Sequence, residues 1–300
     1  MPWIIFAIAA PFFYTITNFI EKFVVENKIK NPIILAIFGG FISLIVGLLI
    51  FILKGAPLLE TSQLILILIS GLLLEFYLIP YFLALSLDDA SRVVPLFQFA
   101  PVFVLILSFV VLGEHLTGQQ LGGFILIVVG GFILGIRKLN LRIFALRKSL
   151  YLMLISSFLY GLVLILFRYV VSEHDFWVTF SYEAIGVGLG ALILLGISLL
   201  QGKFRQEIKK VDPKAWKILL TNSGIGLLAE LSQFYALLFA PASLVSVIGG
   251  VQPFFVFMIG LFLSLRFPHL IKEDLSRPVL ILKGFSILLI FVGTYFIFRA

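Results

Sequence analysis

The sequence predicts an all-α polytopic membrane protein with ten transmembrane helices in two inverted five-helix repeats. Composition, ten apolar runs of spanning length and an internal duplication predict it. Of 300 residues, 61% are hydrophobic and 12% charged, with a mean hydropathy of +1.18. A water-facing surface needs roughly 25% charged residues, and one core could not bury this apolar excess. The bilayer is the solvent that fits. With no cysteine, disulfides and thiolate metal sites are excluded. The formal charge of +7 marks cytoplasmic loops in such a chain rather than nucleic-acid binding.

A helix crossing the hydrocarbon layer needs about 20 apolar residues. Along the chain such runs fall at roughly 3–24, 32–53, 63–86, 93–112, 118–136, 149–171, 177–200, 215–239, 242–265 and 279–298. The first, "MPWIIFAIAAPFF", lacks a basic n-region and an A-x-A cleavage signal, so it reads as a retained span. Span three holds "LLLEFYLIPYF" and span four a mid-span Pro101. The longest connections, "RKLNLRIFALRKS" after span five and "QGKFRQEIKKVDPK" after span seven, are too short for a domain. Spans eight and nine meet at a tight joint, "LLFAPASL", turning on Pro241. The runs lack strict alternation and exceed strand length, which favours helices over a barrel.

All but three of the 22 Lys and Arg residues fall in or beside odd-numbered loops, the exceptions being Lys54, Arg168 and Arg299. That bias puts the odd loops in the cytoplasm and both termini outside.

The chain is written twice. At an offset of 152, "ASRVVPLFQFAPVFV" from Ala90 matches "ASLVSVIGGVQPFFV" from Ala242, pairing Pro101 with Pro253 and Phe103 with Phe255. At an offset of 146, span one matches span six, pairing Tyr14 with Tyr160 and Lys22 with Arg168. "GGFILIVVGG" of span five corresponds to "KGFSILLIFVG" of span ten after an insertion near 267–276. Chance likeness of apolar sequences is the rival account, but proline and Ala-Ser coincide in one register and in order. The units run 1–146 and 147–300. An odd number of spans per unit turns the second copy upside down, the architecture of secondary transporters that open alternately around a midplane site.

These same residues carry a family likeness. Ala84-Leu85, Ala90-Ser91, Pro101, Gly113-Glu114, Thr117, Gln120, Gly123 and Gly130 resemble the EamA-type repeat of the drug/metabolite transporter superfamily. The second half keeps Ala236-Leu237, Ala242-Ser243 and Pro253 but has Leu265-Arg266 where the first has Gly-Glu, and span one reads "YTITNFIEK" in place of the usual Trp-Gly pattern. The resemblance implies export of a small metabolite, such as an amino acid or amine, across a bacterial or archaeal cytoplasmic membrane.

Charge at the bilayer centre costs about 2.5–3.5 kcal/mol on insertion scales, so such groups face a bundle interior or a wet cavity. Glu75 and Glu230 lie mid-way along spans three and eight, each three residues from the other's counterpart at the 152 offset. Residues three apart share a helix face, so both acids are expected to project into one central cavity and to bind substrate or proton. Removal from water disfavours an ionised carboxylate, the chemistry of a proton-coupled carrier; the alternative is a permanently protonated, inert acid. Gln98 and Gln252, near the prolines of spans four and nine, are candidate substrate contacts or interhelical glue. Asn18, Gln233 and Tyr81 complete the candidates, with Asn222, Tyr77 and Tyr235 weaker. Tyr14 and Tyr160, as symmetry mates, are expected to close opposite ends of the cavity.

Several polar residues carry a plainer expectation. Glu183 either snorkels to the headgroups or joins the site as a weaker candidate, Glu114 should act at a helix end, Glu21 is read as an ion pair with Lys22 at least as readily as a site residue, and Asp88-Asp89 should be solvated rather than metal-binding. Gly131-x-x-x-Gly135 and Gly186-x-x-x-Gly190 suit close helix packing.

The histidines, His115, His174 and His269, lack ligand spacing, and no phosphate-binding loop appears. No catalytic residue, metal site or cofactor is therefore expected. An integral membrane enzyme is the main rival class, and a flippase for a lipid-linked headgroup the rival within the superfamily. The reading is a secondary carrier working by alternating access. Its expected partners are a small-molecule substrate, protons and the lipid bilayer; oligomeric state stays open.

Overall fold

The computed structural model describes residues 3–27, 31–88, 93–135, 147–200, 213–266 and 277–299. Much of the odd-loop charge (Lys28, Lys30, Arg92, Arg137, Lys138, Arg142, Lys203, Arg205, Lys209, Lys210 and Lys272) lies outside the described residues, as do Asp89, Ala90, Ser91, His269 and the insertion at 267–276.

Among the described residues the secondary structure is helical, without strands. The α-helices are α1 (Trp3–Asn27), α2 (Pro32–Leu53), α3 (Thr61–Phe76), α4 (Leu78–Leu87), α5 (Phe99–Leu112) and α6 (Gly118–Gly135). There follow α7 (Lys148–Val171), α8 (Phe176–Leu200), α9 (Pro213–Ala236), α10 (Ala242–Gly249), α11 (Gln252–Arg266) and α12 (Arg277–Arg299). A 3₁₀ turn, Val94–Gln98, leads into α5.

Nine stretches among the described residues are long and apolar enough to cross a membrane. The tenth expected span coincides with α9. Its 24 residues reach about 36 Å at 1.5 Å per residue, but Lys214, Lys217, Asn222, Glu230 and Gln233 lower its apolarity. Those at depth turn inward: Asn222 and Gln233 are buried and Glu230 half-buried.

Proline sets the breaks. Span three divides at Tyr77, three residues before Pro80, whose missing N–H leaves the Phe76 carbonyl without its helical donor. The next carbonyl, that of Tyr77, keeps the Tyr81 amide at 3.4 Å and also accepts from the Ser156 hydroxyl at 2.9 Å. In span four Pro101 follows the shift from 3₁₀ to α geometry, and in span nine Pro253 follows the break at Gly250–Val251.

Small residues let backbones meet. A methyl added at Gly71 of α3 would lie 2.2 Å from the Glu183 carbonyl of α8; one at Gly47 of α2 would lie 2.8 Å from the Ser181 carbonyl. Gly186 fits against Leu68 and Gly71, so one predicted small-residue spacing joins α8 to α3 within the chain. Gly131 fits against Gly250 and Gly135 against Pro95. The helices pair as α1 with α9, α8 with both α2 and α3, α6 with α12, α7 with α3, α4 and α5, and α5 also with α10.

Each crossing reverses direction, so the loops after even-numbered spans share one face. That face is densely tied. Lys54 pairs with Asp175 at 3.1 Å, and the Tyr182 hydroxyl donates to the Pro57 carbonyl at 2.7 Å. Gln63 donates to Glu173 at 2.5 Å and meets His174. Asp175 also caps α8, accepting from the Trp177 and Val178 amides at 3.0 and 3.1 Å. Partial burial works to raise its carboxyl, but Lys54 and the two amides hold it below the usual range. Beneath this face sits an aromatic core in which Phe167 stacks on Phe234 at 4.1 Å and Tyr235 meets Phe6 at 4.7 Å and Phe176 at 5.1 Å.

Candidate functional site

At the centre of the bundle, side chains from five helices come within electrostatic reach of one another. Tyr14 of α1 lies within electrostatic reach of Tyr77 after α3, Tyr160 of α7, Glu230 of α9 and Glu183 of α8. Tyr14, Tyr77, Tyr160 and Glu230 all keep part of their surface open, although other helices surround them. Their partial exposure marks where a hollow between the helices would lie. Tyr14 and Tyr160, the symmetry mates, lie within electrostatic reach of each other.

Rings line one side. Tyr160 sits 5.1 Å from Tyr77 and 5.3 Å from Phe97, and Phe97 is 6.1 Å from Tyr81. The Tyr160 hydroxyl donates to Gln233 Oε1 at 2.8 Å. Gln233 and Glu230 are three residues apart on α9, so the amide that orients Tyr160 and the carboxylate share a face. Among the described residues Glu230 takes no ion pair.

Glu75 is placed differently from Glu230. It is 3% exposed, with its stem against Gly190 of α8, its Oε2 beside Gly40 of α2 and its Oε1 without a hydrogen-bond partner. It remains within electrostatic reach of Glu230. Gln98 is buried and donates from Nε2 to the Gly250 carbonyl at 3.1 Å. Its amide fits the notches left by Gly131 and Gly250. Gln252 is half-buried and Asn18 exposed. Further toward the odd-loop face, Asn222 donates to Glu21 at 3.2 Å, so Glu21 reaches across to α9 rather than serving only its neighbour Lys22.

Two polar residues contradict the sequence reading. Glu183 does not snorkel: it is 1% exposed and accepts from Ser70 at 3.0 Å, because close packing of α3 on α8 encloses it. Asp88 is not merely solvated, since Arg147 and Ser149 donate to it at 3.0 and 3.3 Å and tie α4 to α7. Phe97 is one of 33 phenylalanines, and composition does not single it out. Its nearness in sequence to Gln98 and Pro101 was the available signal.

The Gly113-Glu114 motif now has a geometric account. Gly113 closes α5 in the left-handed conformation at φ 65°, which glycine adopts without strain. Glu114 then accepts from Arg168 of α7 at 3.3 Å and from the Ala242 amide opening α10 at 2.8 Å. Arg168 also donates to the Leu237 carbonyl at 2.5 Å. Burial pushes the Glu114 carboxyl up, against the pull of the Ala242 amide and Arg168. After it, the Thr117 hydroxyl accepts from the Gln120 amide at 3.1 Å and the Gln120 side chain from the Thr117 amide at 2.9 Å. This reciprocal cap opens α6. The helix-end role expected of Glu114 thus extends to four spans.

An uncharacterized protein of Methanocaldococcus jannaschii is 34% identical over 135 residues, which are 44% of this chain and 96% of that relative. The model of the EamA-like transporter family matches residues 1–136. The chain belongs to that family. A solved crystal structure shares the fold over 100% of this chain and 98% of its own, with a TM-score of 0.73 at 15% identity. As a member of the EamA-like family the protein is an integral membrane transporter of the drug/metabolite type, acting on a small molecule in a lipid bilayer.

Proposed function

We propose that this EamA-like protein is a secondary carrier exporting a small metabolite, such as an amino acid or amine, by alternating access. Its halves, 1–146 and 147–300, are two inverted copies of one five-helix unit, with the odd-numbered loops in the cytoplasm. One observation carries the reading. Gln98 hydrogen-bonds to Gly250, a residue 152 positions on, which is its own counterpart at the offset that aligns spans four and nine. A residue meets its own counterpart only beside the axis relating the two copies. The helix pairing supports the same exchange: α1 on α9 mirrors α7 on α3 and α4, and α2–α8, α6–α12 and α5–α10 are each self-paired. A relative about half as long that aligns over 96% of itself fits a unit that exists singly.

The tied even-loop face and its aromatic core close one route to the hollow, so the described conformation is read as the one facing the odd loops. Proton coupling is assigned to Glu230, where substrate and proton compete, with Glu75 as the second carboxyl. Gln98 and Gln252 flank the hinge points of spans four and nine.

Counterflow of labelled solutes in proteoliposomes tests the carrier. Glu230→Gln should slow exchange at least about ten-fold, since one lost interaction of about 1.4 kcal/mol is worth that much. Glu75→Gln should flatten the pH dependence. If both variants exchange at the parental rate with the parental pH profile, the coupling assignment is wrong.

A further inference from the structure

We infer that Glu183 holds a fixed proton, which it donates to Ser70, and that the chain from Glu183 through Ser70 to the Val163 carbonyl clamps α3 between α8 and α7. The inference stands apart from the carrier reading except in one respect: it removes Glu183 from the groups that trade protons during transport.

Counting protons leads to it. The Ser70 hydroxyl lies 3.0 Å from Glu183 Oε1 and 3.2 Å from the Val163 carbonyl oxygen, with one proton to give. Spent on Val163, it leaves the Ser70 oxygen facing an ionised carboxylate oxygen with nothing between them. Spent on Glu183, it leaves the Ser70 and Val163 oxygens in the same position. Two such oxygens without a proton between them repel. A proton on Oε1 satisfies both contacts at once, since Glu183 then donates to Ser70 and Ser70 to Val163. The Ser70–Glu183 bond therefore runs from the acid to the hydroxyl.

Burial argues the same way. Glu183 is 1% exposed, and Ser70 and Val163 are both fully buried at 0%. Among the described residues Glu183 takes no ion pair, and its Oε2 has no hydrogen-bond partner. A carboxylate sealed from water persists only when it is paired and hydrogen-bonded. In the neutral acid Oε2 is a carbonyl oxygen, which costs far less to leave alone. Glu230 lies within electrostatic reach of Glu183, so two negative charges there would repel. With Glu183 neutral, Glu230 changes charge without that opposition.

The chain has a mechanical consequence. Seven residues on from Ser70, the Tyr77 carbonyl accepts from Ser156 of α7 at 2.9 Å. Span three is thus bonded to α7 at two heights and, at one of them, also to α8. Glu183 is a positioning residue: it acts on the site through the helix that carries Glu75.

Infrared spectra of the purified full chain in nanodiscs test the proton directly. Subtracting the Glu183→Gln spectrum from the parent's should leave a protonated-carboxyl band. It should lie at the high-frequency end of the acid range, because Oε2 accepts nothing. It should also persist from about pH 5 to about pH 9, where an ordinary carboxyl is ionised. Ser70→Ala removes the acceptor of that proton and should shift the band, which reads the same proton should Glu183→Gln fail to fold. An amide can donate to Ser70 in the proton's place, so Glu183→Gln should melt within about 2 °C of the parent and Glu183→Leu about 4 °C or more below it. Glu183→Gln should keep the parental pH profile of counterflow.

A band that titrates within that range, or an ionised-carboxylate band in its place, would overturn the inference. So would a changed pH profile in Glu183→Gln, or equal melting of Glu183→Gln and Glu183→Leu. A parent whose melting temperature climbs with sodium, while Glu183→Gln does not respond, would put a metal ion where the proton is assigned and overturn it too. If no form of the protein exchanges solute, the carrier reading fails and the band still decides the proton.

Discussion

Gly71→Ala is expected to destabilise the protein severely, whereas Gly39→Ala leaves it unchanged or slightly more stable. Both glycines lie inside helices, where alanine is favoured by roughly 1 kcal/mol. At Gly39 a methyl meets nothing within 4 Å, so only that gain operates. At Gly71 it would sit 2.2 Å from the Glu183 carbonyl and 2.6 Å from the Val187 amide nitrogen. Both atoms are backbone, and neither can swing aside. Helices α3 and α8 would have to separate, which opens the Ser70–Glu183 bond and the slot holding Glu75. Overpacking costs about 1–3 kcal/mol where side chains can adjust, and this site belongs at or above the top of that range. Thermal melting in detergent, read by loss of the monodisperse peak, checks the pair. Equal melting temperatures for the two variants would mean that α3 and α8 pack less closely than described.

Arg168→Met should cost roughly 2–3 kcal/mol, less than the ~3–5 kcal/mol of a fully buried pair because both side chains keep some exposure. The variant loses the donor to the Leu237 carbonyl and leaves Glu114 beside the Ala242 amide without its cation. The sign with pH follows from burial. The Glu114 carboxyl is already pushed up in the folded chain, so without Arg168 it takes a proton more readily than in the unfolded chain. The penalty should be full at high pH, where the charge is stranded, and shrink as pH falls through the raised folded value. Melting temperatures of parent and variant should converge on acidification. A gap that widened instead would rule out a stranded carboxylate as the cause.

Position along a span is easier to read from sequence than azimuth around it. Apolar runs place Glu75, Tyr160 and Glu230 near mid-membrane because length alone fixes where a spanning helix is centred. The face each residue presents is another matter, since lipid-facing and protein-facing surfaces are both apolar and leave little periodic signal. Glu75 and Glu230 were therefore expected in one cavity, yet Glu75 lodges between glycines of α2 and α8. Glu183 was misplaced for the same reason, its burial depending on Gly71 and Gly186 across the interface. Pro101 and Pro253, paired at the 152 offset, each follow a break in their span, the one after Gln98 and the other at Gly250–Val251. The Glu114–Arg168 link was not legible, as nothing local joins residues 54 apart.

A cysteine-free chain allows the central claim to be tested directly. Leu227 is half-buried and one turn from Glu230 on the same face of α9. A single Leu227→Cys variant that still exchanges solute can be probed with a membrane-impermeant maleimide in vesicles of each orientation. Alternating access predicts modification from both faces, at rates that substrate shifts in opposite directions. Modification from one face only, in vesicles where exchange continues, would contradict it.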